Sequence, residues 1–259
     1  MAASDTRRGP IWSSPGIFVE QAFLKRLSAE TQRLVREIEE FAASEIELRA
    51  APAPSSQAVD AARSVALIAS ETGATLLYRG EEEFQTPAVL HELLHLRRYW
   101  IDFVPQLVPV ADLQGDKTKI ANQIENTLEH LIITPQEARY GFDPYTSLND
   151  TARQNWQAYP WSDITESWAR RKMCLLSWLT TRLLVSDEDV KALARECLQK
   201  EDLFEEAENF AGKIERFRSS KERCISTAVR FLRIPRAETE MIYLDVKRKQ
   251  LVRKPVPEH

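Results

Sequence analysis

Thr86-Pro87-Ala88-Val89-Leu90-His91-Glu92-Leu93-Leu94-His95-Leu96-Arg97-Arg98-Tyr99-Trp100 is the stretch on which fold and chemistry both turn. Thr86 suits a helix N-cap, and Pro87, with its fixed φ and missing N–H, suits the first helical position. The pattern predicts a helix from Pro87 to about Phe103, with Pro105 just beyond it. His91 and His95 are four residues apart, so their rings leave one helix face a turn apart, where two imidazoles can hold one metal ion. Glu92 can face the open coordination position. A carboxylate there takes a proton from water polarised by the metal and later delivers it to a leaving amine. Leu90, Leu93, Leu94 and Trp100 bury the rest of the helix, placing the site at the edge of a core.

Upstream, the glycine-bounded run from Gly73 to Gly80 reads as a short strand. A helix carrying Phe23, Leu27, Leu34, Ile38 and Phe41 is expected from Ile17 to about Leu48, after a loose leader over residues 1–15. Ala51-Pro52-Ala53-Pro54-Ser55-Ser56 reads as a linker, and Gln57 to Ser64 as a helix leading into Val65-Ala66-Leu67-Ile68.

Downstream, a second helix is expected from about Lys117 to Ile133, stopping before Pro135. Its buried face is Ile120, Ile124, Leu128 and Leu131, with Glu125 and Glu129 on the rim. A catalytic zinc wants a third protein ligand, and a carboxylate at that rim wants a positive partner, so Glu125 and Glu129 are the candidates. His130 is turned about 100° from Glu129 around the helix, so a structural or supporting role is expected for it, with an oxyanion or substrate contact as its other candidate role. Residues 136–162 read as an aromatic loop, in which Tyr140, with Arg139 and Tyr145, is a candidate donor to a developing oxyanion. Helices are expected over 164–185, 187–200 (capped by Ser186) and 202–232, and a terminal strand over Glu240 to Arg248. Lys247-Arg248-Lys249, with Arg253 and Lys254, reads as a solvated extension.

The motif and the helix after it resemble the gluzincins, the thermolysin-like H-E-x-x-H zinc peptidases, over residues 74–140. Their third ligand is a Glu opening an E-x-x-x-D stretch, whose acidic partner supports a ligating histidine. Glu125-Asn126-Thr127-Leu128-Glu129 matches that spacing, with Glu where the family has Asp, which leaves the order of Glu125 and Glu129 open. The segment from Ile124 to Pro135 is also similar to small bacterial peptidases that cleave transcriptional repressors. The resemblance implies one zinc per chain on His91, His95 and Glu125, supported by Glu129, with Glu92 as base, in a peptidase acting on a restricted protein or peptide target. It implies an α+β, predominantly helical fold: residues 1–50 a leader and helix, 57–162 a zincin-like core of short sheet and two site helices, 163–259 a helical C-terminal region. A second reading stays open, a catalytically inert zincin-like module serving protein interaction or regulation.

The bulk numbers fit an ordinary folded chain. Its 259 residues can bury a substantial core, with 43% hydrophobic and 29% charged residues. A net charge of −4 and a pI near 5.7 provide no basic field for nucleic acid. Cys174, Cys197 and Cys224 stand far apart without a C-x-x-C, which suits a reducing compartment. With no apolar run at the N-terminus and none long enough to span a bilayer, the expectation is a cytoplasmic protein without membrane partners. Walker, G-x-G-x-x-G and G-x-S-x-G patterns are absent, and no second E-x-x-H completes a di-iron set.

Overall fold

A computed structural model describes residues 24–50, 65–78, 86–110, 116–161, 164 and 166–258. The fold is α+β and mostly helical. Helix α1 (Ala29–Ala42) starts where Ser28 accepts a hydrogen bond from the Thr31 N–H at 3.1 Å, and it buries Leu34, Val35 and Ile38. It ends at Ala43, in the left-handed region with φ 50°. The chain then turns into strand β1 (Ile46–Ala50), so the helix expected to reach Leu48 stops short. Strands β2 (Val65–Ala69) and β3 (Ala74–Tyr78) complete a sheet ordered β1-β3-β2, parallel between β1 and β3 and antiparallel between β2 and β3. The expected leader, linker and helix over residues 57–64 lie outside the described residues.

Helix α2 (Thr86–Trp100) carries the motif and packs on α1, β2 and β3. After the short strand β4 (Gln106–Pro109) comes the long helix α3 (Asp116–Arg139), against which α2 and β4 also lie. Helix α3 runs through Pro135 rather than stopping before it. Proline supplies no N–H to the carbonyl four residues earlier, which is that of Leu131. The Arg218 guanidinium donates to the Leu131 oxygen instead. A cation from a distant loop thus completes the bond that the ring denies.

Residues 145–157 form helix α4 (Tyr145–Gln157), where an aromatic loop was expected. Its Trp156 is buried and donates through Nε1 to Thr181 at 2.9 Å, tying it to helix α5 (Ser167–Leu184). Helix α6 (Glu188–Lys200) is capped by Asp187, not Ser186: the Asp187 carboxylate accepts from the N–H groups of Asp189 and Val190. The single helix expected over 202–232 is two, α7 (Phe204–Arg216) and α8 (Lys221–Phe231), the second capped by Ser220. The expected terminal strand becomes a hairpin of β5 (Thr239–Asp245) and β6 (Gln250–Pro255), so Arg253 and Lys254 sit in a strand rather than a loose tail. β5 pairs with β4, and Leu244 and Val246 pack into the core formed by α1, the first sheet and α2. Packing therefore crosses the boundary expected near residue 163: α3 contributes Ile133 to that core and packs its other face on α5 and α8.

Candidate metal centre

Two adjacent helices build the site. α2 presents His91 and His95 from one face, as their spacing requires, and α3 crosses beside it with His130. The Nε2 atoms of His91 and His95 are 3.2 Å apart, and those of His91 and His130 are 3.0 Å apart. Ligand nitrogens at about 2.0–2.1 Å from a tetrahedral ion stand about 3.3–3.4 Å from one another, so two of the three edges are within a few tenths of an ångström of that geometry. The three side chains form a group that can hold a metal ion. All-imidazole donors with no thiolate suit zinc and its neighbouring first-row divalent ions.

The other ring nitrogens of α2 are turned toward carboxylates. His91 Nδ1 lies 2.9 Å from Glu137 Oε1, which makes Nδ1 the donor and leaves the Nε2 lone pair directed at His95 and His130. His95 Nδ1 lies 3.4 Å from the Tyr99 hydroxyl and 3.7 Å from Glu129 Oε2. Burial pushes the His95 pKa down to about 4, against the upward pull of Glu129, so near neutral pH the ring carries no charge. A neutral imidazole is the form that ligates.

Glu129 is wholly buried. Burial opposes its charge, yet Lys221, His95 and Arg98 hold its pKa well below the usual carboxylate range. Arg98 donates to both of its oxygens, at 2.7 and 3.1 Å, and Lys221 Nζ lies 2.5 Å from Oε1. The same ammonium reaches Glu125 Oε1 at 2.5 Å. Glu125 Oε2 accepts from the Leu107 N–H at 2.8 Å, and its Oε1 accepts from Tyr99 at 3.3 Å. Burial raises the Glu125 pKa despite Lys221. Two acids and two cations thus meet in a largely buried layer next to His95.

This layer holds both carboxylates that were expected to serve the metal. Glu125 is engaged by Lys221, Tyr99 and Leu107, and the structure does not bring it to the three Nε2 atoms; His130 stands there instead. The positive partner expected for a rim carboxylate is a lysine 96 residues downstream, not a metal. Glu129 sits behind His95, at the distance given above. Tyr140, expected near the reacting atoms, packs against the core of the first sheet, where Glu37 and Arg97 act on it. Arg139 is exposed, and neither it, Tyr140 nor Tyr145 lines the cleft. Glu137 was missed because the helix was expected to end before Pro135. Its signal was present: His130, Thr134 and Glu137 follow at helical spacing on one face, and all three line the cleft.

The cleft has a volume of about 720 Å³. Glu92, buried midway along α2, lines it with His91 and His130, as does Val65 of the edge strand β2. Among the described residues no helix is long and apolar enough to cross a membrane. No family model, curated protein or solved structure matches this chain.

Proposed function

We propose that this chain is a zinc-dependent peptidase whose metal is held by His91, His95 and His130. The observation that carries the reading is the convergence of three Nε2 atoms beside an acid of the H-E-x-x-H motif, in a cleft of the size that takes small ligands. Bound there, zinc would supply Lewis acidity, polarising water and the substrate carbonyl. Glu92 takes the proton of the attacking water and passes it to the leaving nitrogen. Glu137 and Glu129 hold the rings of His91 and His95 in the ligating tautomer, and the buried layer around Lys221 keeps Glu129 ionised. The first sheet packed on α2, with α3 on another side of α2, supports a zincin-like core. Within it, the gluzincin pattern carries over to His91, Glu92 and His95 but not to Glu125. A peptide substrate suits the edge strand β2, along which an extended chain can pair while its carbonyl faces the metal.

The test is metal analysis of purified protein together with hydrolysis of an unstructured peptide pool. The expected result is about one zinc per chain. Cleavage should be lost on chelation and restored by zinc. In Glu92→Gln, which cannot act as a base near neutral pH, zinc should remain while cleavage falls by roughly a hundredfold or more. Cleavage that survives chelation or survives Glu92→Gln would overturn the mechanism, and zinc without any cleavage would leave the inert interaction module.

A further inference from the structure

The cleft continues past the histidines, between α3, α4 and α5, and the character of its walls changes there. Ser147, Thr151 and Asn155 recur every four residues on one face of α4, a row about 12 Å long at 1.5 Å per residue. Gln123 and Thr127 of α3, and Thr180 of α5, line the same cleft. The charged residues of α4, Asp150 and Arg153, are not among its lining. Charged residues make up 29% of this chain, and 35 of them are Lys or Arg, yet no lysine or arginine among the described residues lines the cleft. Its acids are Glu92, Glu137 and Asp143. Glu137 is paired with His91, and Asp143 accepts hydrogen bonds from Tyr145 and Thr146 at the start of α4.

We infer that this row is a substrate subsite for an extended peptide segment with uncharged polar side chains. Hydroxyls and carboxamides both donate and accept, so they can replace the water around neutral polar groups on a ligand. A carboxylate entering the subsite would meet no lysine or arginine, and it would face the acids of the cleft. Acidic segments are therefore rejected and neutral polar ones preferred.

The inference rests on the metal-site reading, and one binding experiment separates their failures. Acetohydroxamate, and hydroxamates joined at either end to a triserine, trileucine or triglutamate tail, are titrated into zinc-loaded protein. The triserine probes should bind at least about tenfold tighter than the triglutamate probes, one good hydrogen bond's worth. Thr151 is exposed, so Thr151→Lys tolerates the larger side chain, and it should reverse that order by giving the acidic tail a cation. Acetohydroxamate that fails to bind overturns the metal-site reading and the subsite with it. Acetohydroxamate that binds while triserine gains nothing over triglutamate, or an order that Thr151→Lys leaves unchanged, overturns the subsite alone.

Discussion

The Nε2 atoms of His91 and His130 lie 3.0 Å apart although 39 residues separate them in the chain. Within α3, Glu125 and Glu129 turn instead toward Lys221. One rotation of one helix thus decides which side chain stands beside the two histidines of α2. His130→Ala should therefore lose more zinc affinity than the roughly ten- to a hundredfold typical of a supporting group. Glu125→Gln should keep its zinc. Competition with a chelator measures both, and the opposite ranking would restore the carboxylate as ligand.

Glu137 reaches His91 Nδ1 at 2.9 Å from the last turns of α3. Glu137→Ala removes the acceptor that sets the ring's tautomer while leaving all three nitrogens in place. Zinc affinity is expected to drop by roughly ten- to a hundredfold with stoichiometry preserved at saturating metal. Unchanged affinity would mean that His91 is oriented without it.

Lys221 bridges wholly buried Glu129 and half-buried Glu125, and its side chain is only 3% exposed. Lys221→Met should cost about 3–5 kcal/mol in metal-free protein, as loss of one partner from a buried ion cluster does. Combining it with Glu125→Gln restores the balance of charge, so the double variant should be the more stable of the two. Urea unfolding distinguishes this from a packing effect, for which the second change would not help.

The bond from Arg218 to the Leu131 oxygen stands in for the one that Pro135 removes. Arg218→Met keeps much of the side chain's bulk but leaves that carbonyl without its donor. The expected cost is about 1–3 kcal/mol. Chemical denaturation measures it, and amide exchange should rise over residues 136–139, whose helical turns depend on that support. Wild-type stability and exchange would show that water serves the carbonyl equally well.

Burial pushes the thiols of Cys174 and Cys224 up to about 11, from an ordinary value of 9.0. A raised folded pKa contributes stability that is fully present below 9.0 and is lost as pH climbs toward 11. The denaturation midpoint should thus fall across that window, and less steeply in a variant with serine at both positions. At about pH 8 an alkylating reagent should modify half-buried Cys197 in native protein and reach the other two only after unfolding. Rapid native labelling of Cys174 or Cys224 would contradict their burial.

What the sequence determined by itself is local. Thr86-Pro87, the four-residue step from His91 to His95 and the leucines between them define a helix, its start and its reactive face, because helical periodicity relates neighbours a turn apart. The strand expected from Glu240 onward, met in β5, is of the same kind. Tertiary structure alone decided the rest, since a buried charge takes whatever partner the packed chain brings near. Glu125 and Glu129 declared a need for positive charge, but nothing within a turn of them named Lys221 as its source. Pro135 announced a missing N–H, and only the packed chain supplied Arg218 and so carried the helix on to Glu137. The choice of His130 over its neighbours came last, from the angle at which α3 lies on α2, a quantity that no spacing within one helix encodes.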